Sequence, residues 1–287
     1  MVRTLEPFEY YEPTSIKEAS DLLQSFGEKA RIIAGGVDLL ARMRRREITP
    51  DALVSIKFIP GLDFVEEADG QLRIGALASI RSVELSKVVQ EAYPLLYEAV
   101  HSIHSIQVKN TGTLIGNLCI ATPASDIAAA LIALDAKVKI AGPSGERTVP
   151  LEEFYLGVRK TVLQPGEFVT EVMVPRPSSE AKGAFLKLVR NATDIAKVNV
   201  AVLLTVKNGV CEDARVVLGS VAPVIFRAKK AEEALKGKSL DEKVAVEAAA
   251  AAAEEAKPIT DIRSTAEYRR EMSRVLTLRA IRRIMEG

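Results

Sequence analysis

Ala30–Glu47 reads ARIIAGGVDLLARMRRRE, a β-branched run, two adjacent glycines and an apolar-periodic run with an arginine tail. The pattern predicts a short strand, a tight turn at Gly35-Gly36 and a helix from about Val37 to Arg46. A strand–turn–helix of this kind aims backbone N–H groups at an anion. A turn that merely starts a helix accounts for the glycines equally well. Asp38 complements the helix dipole without any ligand. Neither G-x-G-x-x-G nor G-x-x-x-x-G-K-[ST] is present, so the stretch matches neither standard nucleotide fingerprint.

On its N-terminal side, PTSIKEASDLLQSFG predicts a helix with Ser15 as N-cap and Glu18 closing a capping box. Ile16, Ala19, Leu22 and Leu23 form its apolar face, and Gly27 ends it. DALVSI (51–56) supplies a second strand, giving a βαβ-like opening too short for a full doubly wound sheet. Asp69-Gly70 predicts a hairpin, and a helical region follows over 82–103. KVKIA and RTVPL read as strands around the turn GPSGE. The Pro- and Ser-rich stretch 174–183 is a boundary. Beyond it, Asn208-Gly209 marks the clearest hairpin, followed by helices. One of them is Ala-rich and stops at Pro258. The Arg-rich terminal helix has Met272, Val275, Leu276, Leu278 and Ile281 on its inner side.

A second small-residue segment, TGTLIGN (111–117), reads as a loop ahead of another helix, Ser125–Asp135. Ser125 is its N-cap and Asp126 its first-turn acid. Two loops that each open a helix and offer amide and hydroxyl donors would suit a ligand with two linked phosphates. Their spacing in sequence does not say whether they meet.

Composition narrows the classes. Among 287 residues, 39 Lys+Arg balance 38 Asp+Glu for a net charge of +1, so no global field recruits nucleic acid or membrane. Two cysteines, Cys119 and Cys211, are too few for a four-thiolate cluster, and free thiols are expected. The N-terminal MVRTLEPFEYYEP lacks an apolar signal core, and no long uncharged apolar run follows, so a cytoplasmic protein is expected. His101 and His104 share a helix face but have no further ligand in register. No Ser/His/Asp or Cys/His grouping supports nucleophilic catalysis. The Arg42–Arg46 run reads as a helix C-terminus or as a phosphate or partner contact.

AGGVDLL, IGALASI, QVKNTGTLIGNLCIATPASDIAAALIALDA and RKTVLQPGEFVTEVMVP, in that order and spacing, resemble the FAD-binding medium subunit of the molybdenum hydroxylases. That family includes aerobic carbon monoxide dehydrogenases and the flavin domain of xanthine dehydrogenase. The resemblance covers essentially the whole chain. It implies an α+β, vanillyl-alcohol-oxidase-type fold: a βαβ-like FAD-binding subdomain over 1–57, a second over 58–176, and a C-terminal antiparallel sheet with helices over 177–287.

The resemblance also implies the cofactor contacts. Ile32, Ile33, Ala34, Gly35, Gly36, Val37, Asp38 and Leu39 would wrap the FAD diphosphate. Thr113, Gly116 and Asn117 would meet its other side, with Ala76, Ile103 and Ile115 also at the cofactor. Ser125 and Asp126 would lie near the adenosine ribose, and Phe168 and Val169 would approach the flavin ring or adenine. Lys187 would sit near the flavin pyrimidine edge, where a cation stabilises a reduced, anionic flavin. No catalytic residue and no metal are implied.

Three positions depart from the family pattern. Ile115 stands where relatives have the first glycine of T-I-G-G-N, so this loop must differ locally or pack Ile115 away from the ligand. Ile195 stands where several relatives carry an aromatic shield, and Val37 where many have Ser or Thr. By resemblance the chain takes electrons from the clusters of a small iron–sulfur subunit, beside a large molybdopterin subunit, in a heterotrimer that could dimerise. It would pass them to an external acceptor. A standalone FAD-dependent oxidoreductase and a non-catalytic nucleotide-binding assembly module remain the alternatives.

Overall fold

A computed structural model describes residues 4–286; Met1–Arg3 and Gly287, the outer ends of the expected first and last subdomains, lie outside it. Three larger sheets and one two-stranded hairpin organise the described residues. The first is parallel, in the order β1-β3-β2, with β1 Glu9–Tyr11, α1 Ile16–Phe26, β2 Ala30–Ile33, α2 Val37–Arg44 and β3 Ala52–Ser55. The predicted Ser15 cap forms, its Oγ accepting from the Glu18 N–H, but Glu18 reaches back to the Thr14 N–H at 2.9 Å rather than to that of Ser15, so only half of the capping box is made. No sequence pattern predicts the three-residue β1, EYY; its alternation is too short to register, and only pairing with β3 makes it a strand. Helix α2 ends at Arg44 rather than Arg46, because Arg46 is left-handed with φ 58°.

The second sheet is antiparallel, in the order β4-β5-β10-β6-β7. Its chain runs β4 Val65–Ala68, β5 Gln71–Gly75, α3 Ile80–Leu85, α4 Lys87–Ala92, α5 Pro94–His101, α6 Ile106–Thr111, α7 Leu114–Cys119 and α8 Asp126–Ala133. It continues with β6 Lys137–Gly142, β7 Gly145–Pro150, α9 Leu151–Phe154, the small hairpin β8 Tyr155–Gly157 with β9 Lys160–Thr161, and β10 Phe168–Pro175. The predicted turn at Asp69-Gly70 has positive φ at both residues, as a two-residue hairpin with the right twist requires.

The third sheet, β11-β12-β13-β14, follows: β11 Ala181–Leu188, β12 Val198–Lys207, β13 Val210–Gly219 and β14 Phe226–Arg227, then α10 Lys229–Leu235, α11 Glu242–Glu255 and α12 Ala266–Glu286. Asn208-Gly209 makes the β12–β13 turn. Alternation along β12 explains its unbroken apolar sequence. Ala201 and Leu203 join the core of the preceding sheets, while Val200, Val202 and Leu204 join the core under α10–α12. Helix α8 is buried at every position, which is why DIAAALIA has no polar face. It lies between the second sheet's core and β12–β13, and its N-terminus reaches the candidate site.

Candidate cofactor cleft

Gly36 occupies the N-cap of α2 with φ 70°, a conformation open to glycine at little cost. The first i→i−4 bond of that helix runs from the Leu40 N–H to the Gly36 carbonyl at 3.0 Å. Helix geometry therefore leaves the Val37, Asp38 and Leu39 amides without intrahelical partners. Gly35 is tied down differently. A Cβ there would overlap the carbonyl oxygen of Thr111 and stand 3.0 Å from Gly112 Cα. The two glycine segments therefore touch, backbone against backbone, and only a residue without a side chain permits it.

The second segment is not a loop. Thr113 is the N-cap of α7, and its hydroxyl accepts from the Gly116 N–H at 3.0 Å. Ile115 is helical, outside the left-handed region, and 4% exposed. A β-branched residue is tolerated there because a helix, not a glycine turn, makes the approach. The Leu114 N–H donates to the Ala78 carbonyl and the Ile80 N–H to the Gly112 carbonyl, which fixes α7 to the strand end at Ala76–Ser79.

Between these elements runs a cleft of about 760 Å³. Of the residues expected at the cofactor, it brings together Ile32, Ala34, Gly35, Gly36, Val37, Asp38, Leu39, Ala76, Thr113, Ile115, Gly116, Asn117, Phe168 and Val169. Ile33 points the other way, into a small cluster with Met43 and Leu53, because alternate residues of a strand face opposite sides. Ile103, Ser125, Asp126 and Lys187 do not line the cleft. Ile103 packs on the main core. Ser125 caps α8 and donates to Asn117 Oδ1 at 2.5 Å, so it stands one residue behind the cleft wall.

Lys187 Nζ lies 2.6 Å from Asp126 Oδ2, and Asn199 Nδ2 donates to Asp126 Oδ1 at 2.7 Å. The pair is buried, with 11% and 7% of its side chains exposed. Burial pushes the Asp126 carboxyl up, against the pull of Lys187 and Asn199. The cation implied for the flavin edge is thus already matched by a carboxylate of this chain. Ile195, by contrast, is 57% exposed.

Several further residues line the cleft beyond those the resemblance implies at the cofactor. Arg31, Arg42, Leu156, Arg159 and Lys160 all reach the cleft. The β8–β9 hairpin brings the last three there, its position fixed by the Arg159 N–H donating to the Ala121 carbonyl at 2.8 Å. Two strands of three and two residues leave too little pattern to read. Cys119 also lines the cleft; it is a free thiol, as is Cys211, and burial raises it to about 12. His101 Nδ1 lies 2.9 Å from Glu84 Oε1, while His104 lies beyond the end of α5. Among the described residues no cluster of His, Cys, Asp or Glu is arranged to hold a metal.

Unpaired helix-start amides beside a backbone contact that excludes any Cβ fit a dinucleotide diphosphate. The family described as "FAD binding domain in molybdopterin dehydrogenase" matches residues 6–177, and "CO dehydrogenase flavoprotein C-terminal domain" matches 183–284. The chain belongs to the FAD-binding medium subunits of the molybdenum hydroxylases.

It is 34% identical to the carbon monoxide dehydrogenase medium chain of Hydrogenophaga pseudoflava, over 96% of each chain. It is 31% identical to the glyceraldehyde dehydrogenase medium chain of Sulfolobus acidocaldarius, over 96% of this chain and 98% of that one. A chain of the solved carbon monoxide dehydrogenase from Hydrogenophaga pseudoflava superposes with a TM-score of 0.96 at 35% identity, covering 99% of both. A chain of quinoline 2-oxidoreductase from Pseudomonas putida 86 gives 0.93 at 30%, again over 99% of both. The protein is a flavoprotein component of an oxidoreductase, and FAD is its cofactor. No helix among the described residues is long and apolar enough to cross a membrane.

Proposed function

We propose that this chain relays electrons within its complex. It would receive them from iron–sulfur clusters on a small subunit, after oxidation of substrate at molybdopterin on a large one, and deliver them to an external acceptor in the cytoplasm. FAD, when bound, supplies the step between one-electron donors and a two-electron acceptor. The chain's own contribution is positional. The Val37, Asp38 and Leu39 amides hold the diphosphate, Gly35 and Gly36 let the backbone approach it, and Thr113, Gly116 and Asn117 bound it from α7. Ala76, Ile115, Phe168 and Val169 supply apolar wall. Ser125 orients Asn117, while Asp126 and Lys187 form a fixed dipolar pair behind that wall.

The backbone contact between Gly35 and Thr111 carries this reading, because it joins the two segments into one diphosphate-sized cradle. Co-expression with the large and small subunits tests it. The expected result is a three-subunit complex whose visible spectrum contains oxidised flavin, bleached by substrate and restored by acceptor. A complex that assembles without flavin, or a chain that oxidises substrate unaccompanied, would overturn it.

A further inference from the structure

Arg42 sits on the sixth position of α2, and its side chain leans back toward the helix N-terminus, as helical side chains do. Nη1 comes within 3.8 Å of Asp38 and Nε within 3.5 Å of Glu47, both beyond hydrogen-bond reach. Nε is buried and has no hydrogen-bond partner, and 22% of the side chain is exposed. Asp38 and Glu47 therefore face this guanidinium without locking it, and Glu47 is itself held by Arg45 Nε at 2.6 Å. Two other arginines line the cleft: Arg31 Nη1 donates to the Glu28 and Ala30 carbonyls at 2.6 Å each, and Arg159 Nη1 lies 3.5 Å from Glu47. Burial first and the nearby Arg42 charge next push Arg31 down, against the pull of Glu28, and Arg31 and Arg42 both line the cleft. An anion between them would relieve that repulsion.

We propose that Arg42 is a diphosphate-binding residue of the cleft, turning its guanidinium from Asp38 and Glu47 onto a phosphate oxygen of the bound dinucleotide. The assignment rests on the FAD reading above. It gives the first turn of α2 a charged donor where Val37 offers no hydroxyl. A guanidinium suits the task because its planar fork matches phosphate oxygens and carries its charge at every relevant pH. Arg44, two residues on, is exposed and does not line the cleft.

The test is FAD rebinding by the assembled complex after its flavin has been stripped, at low and high salt, with inorganic pyrophosphate as competitor. Arg42→Ala should weaken FAD about tenfold at low salt, flatten the salt dependence and lose most of the competition by pyrophosphate. Arg42→Lys should recover part of the affinity, and Arg44→Ala should behave as wild type. A merely structural Arg42 would lower thermal stability while leaving the salt dependence and the pyrophosphate competition unchanged, and that result overturns the proposal. If the stripped wild-type complex takes up no FAD, the reading beneath the proposal fails with it.

Discussion

A side chain on Gly35 would overlap the carbonyl oxygen of Thr111, so the turn before α2 and the end of α6 are held at a distance that only glycine permits. Gly35→Ala should therefore push the two segments apart. The expected cost is about 1–3 kcal/mol of stability, from overpacking against rigid backbone, with flavin content falling more steeply than stability. Thermal unfolding and the ratio of flavin to protein absorbance check both. Gly36→Ala forces a left-handed φ on alanine and brings its Cβ to 3.1 Å from Leu40 and 3.3 Å from Ile33, and should cost at least about 1 kcal/mol.

Thr113 closes the first turn of α7 through its hydroxyl. Thr113→Val keeps the shape and removes the cap, so it should cost about 1 kcal/mol and loosen the wall that carries Gly116 and Asn117. Thr113→Ser should restore both. Denaturant midpoints and FAD retention on gel filtration separate the outcomes.

Asp126 is enclosed by Lys187 and Asn199 between α8 and the third sheet. Asp126→Ala leaves a buried ammonium without its partner and should cost about 3–5 kcal/mol. Adding Lys187→Met should recover much of that loss, because no buried charge then remains. A double-mutant cycle in urea measures the coupling; additive losses would show that the pair is not a unit.

Glu84 is one of the carboxyls that make stability depend on acid pH. Burial pushes its carboxyl up, but hydrogen bonds from Lys109 at 2.6 Å, Arg81 at 2.6 Å and His101 outweigh burial, and the net shift is downward. A carboxylate held below its unfolded value contributes stability that is complete above about pH 4.5 and is lost as pH falls through the lowered folded value. Glu84→Gln should therefore destabilise the protein at neutral pH and flatten its acid unfolding curve. Urea unfolding at pH 7 and pH 3.5 tests this; an equal loss at both values would refute it.

Local chemistry made much of the fold readable. The Ser15 cap of α1, the positive-φ turns at Asp69-Gly70 and Asn208-Gly209, the glycine entry to α2 and the apolar length of α8 each rest on residues close in sequence. The motif order carried the family and the cofactor. Errors fell where local signals are thin or ambiguous. β1, β8 and β9 are two or three residues long and exist through pairing. T-L-I-G-N looked like a glycine loop because Gly116 suggested one, yet Thr113 caps a helix and Gly116 serves as its third residue.

What the sequence determined by itself was conformational: where φ must be positive, which turns close hairpins and which helices carry an N-cap or a proline stop. Those preferences act within a few residues and leave marks in composition and period. The tertiary structure alone decided which segments meet. Gly35 lies against Thr111, 76 positions away, Lys187 against Asp126, 61 away, and Arg42 enters a cleft whose far wall is the β8–β9 hairpin. Such contacts depend on how sheets and helices pack over the whole chain, and no local pattern encodes that distance.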